Sequence, residues 1–234
     1  MIKALHSVSF FALLIGIISF SSCAHKYYVS PSFEQQTRGH RTIAVLPAEM
    51  VFTGNLPKNA SKEDIAAIEE KESTLFQQSL YKGILQYANT KKHEITVDVQ
   101  DISTTQRLME DHNISIRDSW KADDRELAKI LGVDAVVRMR IQKKRYMSDL
   151  ASMGVGVAQQ IISAIGTNNN VGTPFIPNKT NDIFASCNVV SNSKTLWNDN
   201  YEGSADWNTP SDAIIDNITE KFGKHFPYKR KRNS

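Results

Sequence analysis

Thiol chemistry in this chain is confined to Cys23 and Cys187. Cys23 closes the stretch Phe20-Ser21-Ser22-Cys23, which follows an apolar run from Val8 and a charged opening, Met1-Ile2-Lys3. A positive start, an apolar stretch and small side chains before a cut are the parts of a secretory signal. The run, about 13 residues, falls short of the ~20 that a membrane-spanning helix needs. Cys187 alternates with Ile183, Ala185 and Val189. That pattern belongs to a small hydrophobe on a buried strand face, not to a nucleophile.

The arrangement Phe20-Ser21-Ser22-Cys23 resembles the signal of bacterial lipoproteins, with Phe20 where that family usually has Leu. The resemblance implies cleavage between Ser22 and Cys23 and acylation of the Cys23 thiol, so that membrane lipid holds the mature chain. It also implies several acyl chains on Cys23, and therefore a stable anchor, because a single chain binds membranes only marginally. No Asp follows Cys23, and Ala24-His25-Lys26-Tyr27 has no acidic cluster. Against the sorting signals of such lipoproteins, this favours the outer membrane with the domain facing the periplasm. If Cys23 carries lipid, Cys187 has no partner within the chain and no disulfide framework forms.

The remaining polar groups give no strong catalytic signature. There is no G-x-S-x-G elbow, H-E-x-x-H pair or Walker loop. Gly154-Val155-Gly156 lacks the third glycine of a phosphate-binding loop. His40, His93, His112 and His225 are scattered, without metal-ligand spacing, so no metal, cofactor or catalytic residue is expected. Asp123 and Asp124 suit helix capping better than acid/base work. Arg138 and Arg140, near Lys143, Lys144 and Arg145, leave two readings open: a face for an anionic partner, or charges that blunt a sheet edge. The net charge of +3 is no general nucleic-acid signature. Export makes Lys229-Arg230-Lys231-Arg232 a solubilising basic tail in preference to a nucleic-acid contact.

The elements that would position these groups follow from periodicity. Residues 1–22 are the signal and 23–41 a tether without apolar period. Tyr27 and Tyr28 are either rings at the membrane surface or solvated linker. A domain over 42–226 opens with Ile43-Ala44-Val45-Leu46, a strand buried on both faces and closed by Pro47. A loop follows, and then Ser61 and Asp64 cap a helix over about 62–88. Ile95, Val97 and Val99 alternate as a second strand. Ser103 with Gln106 opens a short helix, and Asp123 with Glu126 opens another that ends at Gly132. Ala135, Val137, Met139 and Ile141 share one face of a third strand, with Arg138 and Arg140 on the other. Residues 150–181 are an apolar insertion and loop, in which Met153, Val157 and Ile161 are spaced by four. Strands over 183–190 and 195–201 form a hairpin, Thr209-Pro210 starts a last helix, and 227–234 is the basic tail. The expected architecture is α/β, a mixed sheet of about four to five strands with helices packed on it.

Three pieces resemble a known family: Thr42-Ile43-Ala44-Val45-Leu46-Pro47, Glu126-Leu127-Ala128-Lys129-Ile130-Leu131-Gly132-Val133-Asp134-Ala135-Val136-Val137, and the hairpin with Thr195-Leu196-Trp197. They are similar to the periplasmic lipoprotein domain of the curli-secretion (CsgG) type, to the N-terminal domain of TolB and to small penicillin-binding-protein activator lipoproteins. The resemblance implies a non-catalytic envelope module that works by binding partners, often as a homo-oligomer. The candidate interaction surface is Met153, Val157 and Ile161 with Arg138 and Arg140. The alternatives are an oligomeric outer-membrane secretion pore, whose membrane strands the spacing of residues 150–165 does not favour, and an envelope hydrolase.

Overall fold

A computed structural model of the chain describes residues 27–54, 61–145, 181–205 and 211–232. Its spine is one long strand, β6 (Ala135–Arg145), where apolar residues alternate with polar ones beyond Val136. Ala135, Val137, Met139 and Ile141 are buried on one face, as the alternation requires. Two strands run parallel to β6 on one side, β2 (Thr42–Val45) and β3 (Glu49–Gly54). Val45 lies opposite Val137 and Glu49 opposite Arg140, so four steps along one side match three along the other. The extra residue is a bulge over Leu46-Pro47-Ala48, where proline donates no ladder bond. A neighbouring helix satisfies the freed backbone groups. Gln77 donates to the Val45 carbonyl at 2.7 Å, and the Ala48 N–H reaches the Ser73 carbonyl at 3.4 Å.

On the other side of β6, β7 (Asn181–Ser191) and β8 (Lys194–Ala205) form an antiparallel hairpin. The edge beyond β8 is β1 (Tyr27–Val29), and the opposite edge is β5 (Asp98–Val99), parallel to β2. The seven-stranded sheet therefore runs β1-β8-β7-β6-β2-β5, with β3 continuing the line of β2. A separate ribbon pairs β4 (His93–Ile95) with β9 (Lys229–Lys231).

Helices cover the two faces unequally. One face lies under α2 (Lys62–Ala88) and α6 (Ser211–His225), which bury Phe76, Leu80, Ile84, Ile218 and Phe222 against it. Ser61 and Asp64 form the expected capping box of α2. The other face is covered only in part, by α3 (Ile102–Asp111) and α5 (Asp124–Leu131), with α4 (Ile116–Lys121) at the border, its Arg117 paired with Glu69 and Glu70 of α2. The core there is smaller: Ala44, Leu46, Met109, Leu127, Leu131, Val136 and Val190. A short helix, α1 (Phe33–Thr37), follows β1.

The mixed α/β architecture agrees with the sequence, and the sheet is larger than expected. Residues 49–54, expected as loop, form β3 because Met50 is drawn into the core. The strand expected over Ile95–Val99 divides between β4 and β5. Asp101, not Ser103, caps α3, and α4 begins at a second capping box, Ser115 with Asp118. The folded part also exceeds 42–226. β1 and α1 occupy residues assigned to a tether, and β9 occupies the expected tail. Cys23 and Met153, Val157 and Ile161 lie outside the described residues.

At Gly83 and Gly223, α2 and α6 approach closely enough that no side chain fits between them. A Cβ on Gly223 would lie 2.6 Å from the Gly83 carbonyl oxygen, and one on Gly83 would lie 3.0 Å from the Thr219 carbonyl oxygen. Overpacking costs about 1–3 kcal/mol, more than the ~1 kcal/mol that Ala gains over Gly in a helix. Gly223→Ala should therefore lower the midpoint of thermal unfolding. Gly39→Ala, whose Cβ would meet nothing within 4 Å, should leave it unchanged.

Candidate functional site

The half-covered face of the sheet holds the accessible polar groups. Down β6, Val136 lies under the helices, Arg138 stands at their border, and Arg140 and Gln142 lie beyond it. Asn188, Ser186 and Phe184 face them from β7, with Asn198, Asn200 and Glu202 next on β8. The asparagines form a ladder of amides, first across β7 and β8 and then along β8. The Asn198 amide donates to Asn188 at 2.7 Å, and the Asn200 amide donates to Asn198 at 2.8 Å. Arg140 pairs with Glu49 at 3.1 Å and remains more than half exposed. Phe184 is 38% exposed, an apolar ring set among amides. A depression of about 850 Å³ is lined by Arg140, Gln142, Phe184, Ser186, Asn200 and Glu202, among others. Guanidinium, amides, carboxylate and one ring can offer hydrogen bonds, charge and a stacking surface to a partner.

Arg138 does not belong to that surface. Its guanidinium pairs with Asp124 and donates to the backbone carbonyls of Ser119 at 2.8 Å and Ala122 at 2.6 Å. The alternation put it on the correct face, but the turn between α4 and α5 folds over it and uses its donors. Arg138 holds that turn on the sheet and is not an open contact for an anionic partner. Arg140, one alternation further, has only Glu49 as its charge partner among the described contacts.

The fully covered face holds a buried polar cluster. Alternation along β8 puts Asp199 on the same side as Trp197, and both are wholly inaccessible. The Asp199 carboxylate accepts from Lys221 at 2.8 Å and contacts His225 Nδ1 at 2.8 Å, both residues lying on α6. Its own neighbour, the Asn200 N–H, supplies a further bond at 2.8 Å. Tyr27 of β1 stacks on His225 with ring centroids 4.9 Å apart. Cys187 lies opposite Asp199 in the ladder. Burial, and then the Asp199 charge, push its thiol far above the ordinary range. Cys, His and Asp thus come together without a thiolate to attack with. The Trp197-x-Asp199 alternation signalled this cluster in the sequence.

Asp134 and His112 also serve the fold. The Asp134 carboxylate accepts the backbone N–H groups of Arg41 at 2.7 Å and Thr42 at 3.0 Å, tying β2 to β6 at their starts. Burial alone would raise its pKa, but the bonds from Thr42 and Arg41 outweigh it and hold the carboxyl below its usual range. His112 Nδ1 lies 2.9 Å from the Leu108 carbonyl at the end of α3. Among the described residues, no group of three His, Cys, Asp or Glu side chains could hold a metal ion. Nor is any described helix long and apolar enough to cross a membrane.

No known protein family matches the sequence, and no curated protein matches it. Solved structures do. The lipoprotein GNA1162 from Neisseria meningitidis is 12% identical, with 79% of this chain and 96% of that one covered and a TM-score of 0.41. The LpoB C-terminal domain from Salmonella enterica is 11% identical, with 75% and 93% covered and a TM-score of 0.35. The PelC dodecamer from Paraburkholderia phytofirmans is 7% identical, with 85% and 92% covered and a TM-score of 0.36. At such identities and TM-scores, these likenesses carry nothing about what this chain binds.

Two measurements test the assignments. Arg138→Ala should destabilise the fold by about 2–3 kcal/mol, the worth of charged hydrogen bonds left without a donor, whereas Arg140→Ala should cost under ~1 kcal/mol. Urea unfolding of both variants checks the difference. The second concerns His40, whose Nδ1 lies 2.6 Å from the Tyr228 hydroxyl. Burial lowers its pKa and the nearby Asp134 charge opposes that shift. Such a histidine favours the neutral ring in the fold. Its contribution is present above the unfolded value of about 6.5 and is lost as the pH falls toward the lower folded value. The unfolding midpoint should drop as the pH falls below about 6.5, and His40→Gln should flatten part of that drop.

Proposed function

We propose that this chain is a lipid-anchored, non-catalytic binding or assembly module of the bacterial cell envelope, held on the periplasmic face of the outer membrane by acylated Cys23. The observation that carries this reading is Phe20-Ser21-Ser22-Cys23 directly behind an apolar run and a positive start. The described domain supports the binding half of the proposal. Arg140, Phe184, Asn200 and Glu202 stand on a sheet face that α3, α4 and α5 leave uncovered. An amide-rich face with one exposed ring suits an envelope protein as partner, with hydrogen bonds at the rim of a small apolar contact. The groups that would otherwise suggest chemistry are engaged internally: Asp134 with two backbone N–H groups, His112 with a helix-end carbonyl and Cys187 within the core. The relation to curli-secretion-type domains is part of this proposal and rests on the three sequence pieces named above.

The anchor is tested by growing bacteria that express the full chain with labelled palmitate. Wild type should incorporate label and sediment with membranes, and Cys23→Ala should do neither. Equal labelling of the two would remove the anchor from the proposal.

A further inference from the structure

The distance along the chain from Cys23 to the folded domain has a mechanical consequence. β1 begins at Tyr27, so only Ala24, His25 and Lys26 separate it from Cys23. Four residue steps span at most about 14 Å when fully extended. The polar headgroup layer on each side of a bilayer is itself roughly 5–8 Å thick. An acylated Cys23 would therefore keep β1 close to the headgroups.

β1 is not a loose leader that could lengthen this reach. Tyr27, Tyr28 and Val29 pair in register with Asp199, Asn198 and Trp197 of β8. The Ser30 N–H donates to the Leu196 carbonyl at 2.9 Å. Tyr27 points inward onto His225, and Phe33 of α1 packs edge-on against Tyr228, 5.2 Å between centroids. The side chains that remain outside are the next two. Tyr28 is 49% exposed and Val29 41%, the two most exposed large apolar side chains among the described residues. As consecutive strand residues they project to opposite faces, so they flank the sheet edge nearest the anchor, Tyr28 on the side of Asn198 and Val29 on the side of Trp197. Aromatic rings with a polar tip favour the headgroup level. No carboxylate of β1 opposes an anionic surface, and Asp199, its neighbour on β8, is buried and bound by Lys221 and His225.

We infer that Tyr28 and Val29, on either side of the edge strand β1, form a lipid-contact surface that docks the folded domain directly on the headgroups beside its anchor, three residues away. This rests on the anchor proposed above. The docking fixes orientation, because the sheet edge that carries β1 must face the membrane.

The test uses the full acylated chain in vesicles of phosphatidylethanolamine and phosphatidylglycerol. A nitroxide is placed by Tyr28→Cys, and in a separate protein by Asp98→Cys. Cys187 is fully buried and escapes labelling. Asp98 is exposed on β5 at the opposite edge, five strand spacings from β1, roughly 24 Å. On vesicles, the label at position 28 should lose several-fold accessibility to a water-soluble relaxant and gain it toward a lipid-borne one. The label at position 98 should not change. Palmitate present with position 28 as open to water as position 98 would overturn this inference alone. Absence of palmitate would overturn the anchor and this inference together. Shielding of position 28 that appears without vesicles and grows with protein concentration would assign β1 to a second copy of the chain and likewise overturn it.

Discussion

The contact of backbone on backbone between α2 and α6 sets the geometry on which the rest depends. Glycine inside a helix costs about 1 kcal/mol relative to alanine, and here one is present in each helix where the two meet. What the pair permits is a separation that any side chain would widen. At that separation α6 sits low enough on the sheet for Phe222 and Ile218 to be wholly buried. Lys221 and His225, on the same helix, then reach the carboxylate of Asp199. A shift of α6 outward would leave that carboxylate buried with its partners withdrawn, an expensive state for a charge away from water. The helix contact and the ion cluster therefore enforce one another.

The cluster in turn fixes the sheet edge. Asp199 lies on β8 directly opposite Tyr27 of β1, and Tyr27 stacks on the histidine that binds Asp199. A three-residue strand has too few ladder bonds to hold an edge alone. The stacked ring and the packing of Phe33 on Tyr228 supply the rest. Residues of the covered face thus decide how firmly the N-terminal strand is held.

This dependence explains what could be read from the sequence. β2, α2, α5, β6, the β7–β8 hairpin and α6 announce themselves by period and caps, because each buries its own apolar stripe or run. β1, α1 and β9 have no such period. They are three to five residues long, and their pairing energy comes from strands and rings distant in the chain. A basic run such as Lys229-Arg230-Lys231 reads as solvated tail until Glu94 and the backbone of β4 appear opposite it. Gly83 and Gly223 give no local signal, because a glycine in a helix shows its reason only in the neighbouring helix. For the candidate face, alternation placed Arg138 and Arg140 on the correct side of β6. It could not show that the α4–α5 turn lies over one and not the other, since that depends on where a crossover returns to the sheet.

The unequal covering of the sheet gains meaning from the position of its edges. A sheet presents its faces at right angles to the line of its strand order. If the β1 edge is held at the membrane by the short link to Cys23, neither face can look straight at the lipid, and both look along the surface. One is closed by α2 and α6 and offers the outer sides of helices. The other exposes Arg140, Phe184 and the asparagine ladder. A partner that used this face would then approach along the membrane surface. The physical demand on that partner is a surface close to the lipid that supplies hydrogen bonds to amides and a patch for one ring. An anchored neighbour meets this demand more readily than a freely diffusing one, because confinement to the same surface raises its effective concentration at the site.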